Sequence, residues 1–317
     1  MTADPPHRWQ AAPEDSGHRF DTTRRWDASL SLMFAARSAD TASPSTESMG
    51  VASMSRTRLI RARHHGPLRV QRPFYPEPSQ TGRVDPCHVY LLHPPGGLVS
   101  GDALKIDVKV EASAHAVLTT PAATKLYRAD SHGVVWSQTN RLQVEDGGIL
   151  EWLPQETIAF DGSRGEQRTE IALYGDARCL GWEIMALGRP ASHLPFMSGR
   201  IEQRFQLTHD GRPLWLERQP LEPLHPRFVG HWGQGGATVQ ATLWAAGLVD
   251  PRQAVEALRA TIPAMKNWAV TQRNGVMLLR YLGGSRNEAW DLCRAAWACL
   301  RPLIVARQAC EPRIWRT

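Results

Sequence analysis

The sequence predicts a mainly-β protein that closes with two α-helices, and three observations carry that expectation. From Arg56 to about Gln240, short stretches alternating apolar and polar residues recur between Gly, Pro, Asp and Asn, the mark of strands bounded by turns. No helical pattern separates one stretch from the next, so βαβ units are excluded and a sandwich, a barrel or a solenoid remains. Beyond Asp250 the apolar spacing lengthens to three and four, the period of a helix. No repeat of fixed period stands out, so self-similarity alone does not select the solenoid.

Residues 1–25 are polar, Pro-containing and aperiodic, and read as a disordered tail. The remainder, 26–317, reads as a single domain with a β-rich body over 26–245 and a helix-containing region over 246–317. Trp26, Ala28, Leu30, Leu32 and Phe34 share one face of a first strand. The stretch 37–55, rich in Ser, Thr and Ala, reads as a loop. Leu104, Ile106, Val108 and Val110 alternate with polar residues, and 116–120, 141–144 and 200–207 read as further strands. Asp250 before Pro251 sets an N-cap and a first helical residue, opening a helix through Ala254, Leu258 and Ala260. After a buried strand over 276–282, Ser285 and Glu288 form a capping box. The helix they open buries Trp290, Cys293, Trp297 and Leu300 and is expected to stop before Pro302.

With 317 residues, 42% of them hydrophobic, the chain can bury a real core. No stretch approaches the roughly 20 apolar residues of a membrane helix, and the first twenty residues lack the apolar centre of a secretory signal. The five cysteines, Cys87, Cys179, Cys293, Cys299 and Cys310, are irregularly spaced and suggest no disulfide framework. A cytoplasmic location is the expectation. The net charge of +6 comes from scattered arginines without a basic run, so neither nucleic acid nor a membrane is expected as partner. Acidic protein surfaces explain the charge equally well.

No motif of a conventional active site is present: no Gly-x-Ser-x-Gly, no phosphate-binding glycine loop, no His-Glu-x-x-His. Cys87 and His88 are strand neighbours pointing to opposite faces. Cys293 and Cys299 lie at neither helical spacing and read as core residues. The chain is read as a non-enzyme without a tight metal site.

Two features remain. In CHVYLLHPPGGLVSGD (Cys87 to Asp102), an apolar run breaks at Pro94 and Pro95, turns on Gly96 and Gly97, and restarts at Gly101 and Asp102. The prolines fix φ and the glycines permit φ > 0, so the backbone makes a forced corner between two strands. The second feature is a set of acids inside apolar sequence: Glu151, Glu156 and Asp161 in LEWLPQETIAFDG, Glu183 in LGWEIMALGRP, and Glu217 in LWLERQP. Such an acid either turns outward to solvent, the commoner case, or is buried with a partner. Together they allow an interior polar path.

CHVYLLHPPGGLVSGD, LEWLPQETIAFDG and LGWEIMALGRP, with GPLRVQRPFYPE (66–77), VLTTPAATKLYR (117–128) and the terminal PRIWRT (312–317), resemble the UreD/UreH family of urease accessory proteins, which help load nickel into apo-urease. Two departures stand out: Ser100 replaces a family glycine, and both the 37–55 loop and the head before Trp26 are long. The resemblance implies a β-helix-like body with two C-terminal helices. It implies a scaffold that binds the helical protein UreF and, through it, UreG, whose GTP is bound by UreG and not by this chain. The assembly would dock on apo-urease and deliver nickel through an internal tunnel. Asp102, Glu183 and Glu217 match family acids linked to that path, with Glu156 and Asp161 as further candidate lining. Ni2+ would be a transient passenger rather than a tightly bound cofactor. The C-terminal region would receive UreF, with Trp290 and Trp297 as core anchors and PRIWRT as a contact candidate.

The expected function is therefore a nonenzymatic urease-maturation chaperone. The alternative is a β-rich scaffold that opens apo-urease without conducting metal. A hydrolase or lectin-like module that has drifted from the family is a third reading, which no motif supports.

Overall fold

Short strands with turns between them wind the chain into a solenoid, because each strand is too short to bury its apolar face except against the next turn of the coil. The structure is a computed structural model and describes residues 25–38, 55–264 and 266–316. The expected tail over 1–25 and the 37–55 loop fall almost wholly outside those residues. The described chain begins with β1 (Trp26–Ser38), β2 (Ser55–His65) and β3 (Arg69–Val70). Four rungs follow. The first is β4 (Cys87–Leu92), β5 (Gly97–Leu98) and β6 (Asp102–Val110); the second is β7 (His115–Thr119), β8 (Thr124–Leu126) and β9 (Trp136–Val144). The third is β10 (Ile149–Leu153), β11 (Thr157–Ala159) and β12 (Arg164–Leu173); the fourth is β13 (Arg178–Arg189), β14 (Leu194–Pro195) and β15 (Arg200–His209). Then come β16 (Arg212–Leu221), the one-turn helix α1 (Pro226–Val229) and β17 (Val239–Ala246). The chain closes with α2 (Pro251–Thr261), β18 (Trp268–Arg273), β19 (Val276–Gly283) and α3 (Arg286–Val305).

The third strand of each rung joins a seven-stranded sheet, ordered β16-β15-β12-β9-β6-β1-β2, whose β1, β6, β9, β12 and β15 are all parallel. The first strand of each rung joins the other sheet, in which β4, β7, β10 and β13 are parallel and β17, β19 and β18 continue antiparallel. The short β5, β8 and β11 pair along a third face. This is a mainly-β, β-helix-like body with C-terminal helices, as the resemblance implied. The strands expected around 104–110, 141–144 and 200–207 are present within longer elements, and the one expected over 116–120 is β7, one residue earlier.

The second sheet is buried on both faces. Inward it meets the first sheet, with Leu30, Ile106, Leu142, Ile171 and Leu207 in the shared core. Outward it lies under the helices, where Leu180, Trp182, Leu243 and Leu279 meet Leu258, Trp290, Trp297 and Leu300. That double burial explains strand sequences that are mostly apolar, such as CHVYLL and HAVLT. No described helix is long and apolar enough to cross a membrane.

Both helix starts follow the sequence, with two differences. The Asp250 carboxylate accepts from the backbone N–H of Arg252 and Gln253 at 2.9 and 3.2 Å. Ser285 accepts from Glu288 N–H at 3.2 Å, but the Glu288 carboxylate turns to the Tyr281 hydroxyl and Asn267 instead of closing the box. The tyrosine hydroxyl takes over, accepting from Ser285 N–H at 3.3 Å. The second difference is that α3 runs through Pro302 to Val305. Ile304 and Val305 are buried there, and Arg178 and Arg83 donate to their carbonyl groups, which outweighs the bond that proline removes. The terminal segment also packs inward: Trp315 sits 5.3–5.7 Å from Trp182, Trp290 and Trp297 and donates to Thr119 Oγ1 at 2.9 Å.

A buried ionic cluster ties α3 to the rungs. Arg301, fully buried, donates from Nε to both oxygens of Glu151 at 3.0 and 3.1 Å, and from Nη2 to Glu77. Glu151 also accepts from His115 Nε2 at 2.7 Å and Trp297 Nε1 at 2.6 Å, and Glu77 accepts from His88 Nε2 at 2.8 Å. Arg307 alongside donates to Asp85 at 3.3 Å. Burial by itself would raise Glu151; the Arg301 charge and the hydrogen bonds from His115 and Trp297 outweigh it and pull the carboxyl down to about 2. Burial pushes the His115 imidazole below its ordinary value, against the pull of Glu151.

Two outcomes follow. Arg301→Ala leaves two buried carboxylates without their shared counter-charge and should cost about 3–5 kcal/mol of stability, read by denaturant unfolding. Both depressed groups bind protons more readily unfolded, so stability should fall as pH drops below about 6.5 and fall further below about 4.5 toward 2. His115→Gln should shrink the first limb, leaving the share of the other depressed histidine, His93, and keep the second in melting curves recorded across that range.

Candidate functional site

The corner after β4 is built as a double turn. Gly96 (φ 73°) closes a turn onto the His93 carbonyl at 2.8 Å, and the Asp102 N–H closes the next onto the Val99 carbonyl at 3.1 Å, with Gly101 (φ 87°) inside it. At Gly97 a side chain would bring its Cβ within 2.4 Å of the Lys125 carbonyl, so the close pairing of β5 with β8 needs glycine. Pro94 and Pro95 hold the turn between His93 and Gly96. Ser100, the departure from the family pattern, accepts from Asp130 N–H at 2.9 Å and ties the corner to the next rung. Asp102 accepts from Val99 N–H at 2.8 Å, locking the turn. His93, beside it, borders a cavity of about 80 Å3 shared with Thr120 and Gln138.

Glu183 on β13 and Glu217 on β16 meet across the two sheets at a narrow cavity of about 30 Å3, room for one or two water molecules. Gln203, Gln219 and Gln240 share its walls. The lining follows from register: Gln138, Gln167, Gln203 and Gln219 are aligned partners on β9, β12, β15 and β16, two residues along and on the same face as the aligned Asn140, Thr169, Phe205 and Glu217. Hydrogen bonds run along these inward rows. Gln138 donates to Asn140 at 3.4 Å, Asn140 to Thr169 at 3.1 Å, and the Thr169 hydroxyl to Glu183. Gln203 donates to Gln167 at 2.9 Å, and Gln240 donates to Gln203 and, at 2.7 Å, to Gln219. Gln219, Trp215 and the fork of Arg280 all donate to Glu217. A wider cavity of about 340 Å3, which Arg280 and Trp232 border, shares Gln219, Gln240 and Thr242 with the narrow one.

Desolvation raises Glu183 to about 7, opposed only by the Thr169 hydrogen bond. Its remaining accessible surface opens onto the cavity. Two carboxylates, amide oxygens and water are hard, exchangeable donors suited to a divalent cation held loosely. No group of three or more His, Cys, Asp or Glu placed to hold a metal exists among the described residues.

The UreD urease accessory protein family model matches residues 48–316. The chain belongs to that family. It is 64% identical over 308 residues to the urease accessory protein UreD of Chromohalobacter salexigens, covering 95% of this chain and 92% of that protein. It is 63% identical over 302 residues to the UreD of Marinobacter nauticus, with 95% and 96% covered. With UreD 2 of Brucella anthropi the identity is 43% over 263 residues, 82% and 93% of the two chains.

The residues expected to line an interior path divide. Glu183 and Glu217 share one cavity, and Asp102 does not border it. Glu156 is buried, pairs with Arg286 at 2.8 Å, and leaves Oε2 without a hydrogen-bond partner. Asp161 clamps a turn, accepting from Met197 and Ser198 N–H at 3.0 and 2.7 Å and pairing with Arg128. Neither Glu156 nor Asp161 borders the narrow cavity. Sequence reasoning missed the inward amides. Their signal was polar residues in the apolar frame of β9 and β12, where Trp136, Gln138, Asn140 and Leu142 share one face.

A carboxyl raised in the folded state contributes stability present below its unfolded value and lost as pH rises through about 7. Glu183→Gln keeps the shape without the titration. Its melting temperature relative to wild type should therefore climb between pH 4.5 and 8, and a pH-independent difference would place the Glu183 carboxyl in contact with bulk water.

Proposed function

We propose that this chain is a nonenzymatic urease-maturation chaperone that brings UreF and UreG to apo-urease and passes nickel through its interior. The observation that carries the metal route is the Glu183–Glu217 cavity, continuous with polar rows that reach Gln138 at the His93 corner. Nickel is cargo here: a loose oxygen-donor set with water lets the ion leave as readily as it arrives, which a closed thiolate cage would not. Glu183 would shed its proton as the cation arrives, since a ligating carboxylate must be ionised. Asp102 would act at the corner, beside His93, as a local negative charge. UreF, UreG with its GTP, and apo-urease are the partners this reading requires, in the cytoplasm.

One observation favours the alternative of a scaffold that opens apo-urease without conducting metal. Glu217 is already saturated by Arg280, Trp215 and Gln219. Reconstitution separates the two readings: apo-urease is incubated with nickel, bicarbonate, GTP, UreF and UreG, with this chain or its variants. The chain should raise urease activity strongly, and Glu183→Ala and Glu217→Ala should each lower that gain several-fold while still binding UreF. Full activation by the double variant would leave the scaffold reading, and no gain from the wild-type chain would remove the maturation role altogether.

A further inference from the structure

Arg280 stands where the narrow cavity meets the wide one. Its guanidinium grips Glu217 with two parallel hydrogen bonds, the Nη1–Oε1 bond at 2.7 Å, and lies 5.7 Å from the Trp215 ring centroid. The carboxylate belongs to the wall of the narrow cavity and the arginine to the wall of the wide one. An ionised carboxylate offers about four acceptor positions. Arg280 fills two, Trp215 a third and Gln219 the fourth. No position on Glu217 is open to an incoming ion while Arg280 stays. The pair is also lopsided: the arginine side chain is 39% exposed and the glutamate 17%. Arg280 can swing into water at little desolvation cost, whereas Glu217 stays in its half-closed site and needs a replacement charge.

We infer that Arg280 is a built-in counter-cation: it holds Glu217 until a divalent metal cation arriving by the wide cavity displaces it, and it expels that cation when it returns. The inference rests on reading the interior as a metal route and adds what keeps that route from becoming a trap. A guanidinium forked onto the carboxylate is a strong competitor, so the cavity binds its passenger weakly by construction.

Nickel affinity of the purified full-length chain, measured by isothermal titration calorimetry, tests this in a four-way cycle of wild type, Arg280→Gln, Glu217→Gln and the double variant. Arg280→Gln should bind Ni2+ at least about tenfold more tightly, about 1.4 kcal/mol, and the gain should vanish when Glu217 is also changed. Arg280→Lys keeps the charge without the fork; it should fall between, and it decides the matter if the glutamine variant does not fold. Equal affinity for wild type, Arg280→Gln and Arg280→Lys, including no binding by any of them, overturns the inference. A gain that survives the loss of Glu217 overturns it as well. The metal route fails by a different readout: if Arg280→Gln tightens nickel binding while Glu183→Ala and Glu217→Ala activate urease fully, the latch stands and the conduit does not.

Discussion

Two carboxylates from distant parts of the chain, Glu77 and Glu151, meet on the buried guanidinium of Arg301, and the C-terminal region is organised around that meeting. Glu151 comes from the third rung, Glu77 from the strap before the first, and Arg301 from α3. Each charge is tolerable only because the others are present, and His115, His88 and Trp297 supply the donors that complete the carboxylates. Apolar packing would hold α3 against the sheet at many nearby registers. The cluster selects one, because a slip of one helical turn would leave a buried ion unpartnered.

With α3 fixed, the outer face of the second sheet is sealed and its inner face is free to carry something other than hydrophobic contact. Parallel rungs repeat one frame, so residues at one inward position line up from strand to strand. Leu32, Val108, Leu142, Ile171 and Leu207 form an apolar row in this way, the glutamines of β9, β12, β15 and β16 form a polar one, and Asn140 and Thr169 lead through Phe205 to Glu217. Every member needs a partner in the interior, and the amides meet that need by bonding to one another. A polar, hydrogen-bonded interior inside an otherwise apolar core is thus a property of register rather than of any single residue.

Much of this was legible beforehand. Alternation located β6 and β15, and the Asp250 and Ser285 caps located both long helices. The solenoid itself was not legible from periodicity, because the rungs begin at Cys87, His115, Ile149 and Arg178, at unequal intervals that hide the repeat. Glu183 and Glu217 stood out as acids in apolar runs, but their meeting depends on a cross-sheet distance that no local pattern encodes. Asp102 and Asp161 stood out equally and hold turns. Glu151 was visible as an acid and Arg301 was not visible at all, since an arginine in a helix ordinarily reads as surface. The run of α3 past Pro302 had the same origin: its compensating arginines, Arg83 and Arg178, lie far away in sequence.

The placement of Arg301 on α3, after every rung in chain order, also sets an order of events during synthesis. The rungs emerge first and can stack in sequence, each on its predecessor. Until α3 leaves the ribosome, however, Glu77 and Glu151 lack the Arg301 charge, and Trp182 lacks the cover of Trp290. Only the arrival of α3 converts a stack of rungs into a closed molecule. Translation halted before α3 would therefore yield a product that holds every rung yet exposes the part of the second sheet's outer face that α3 covers.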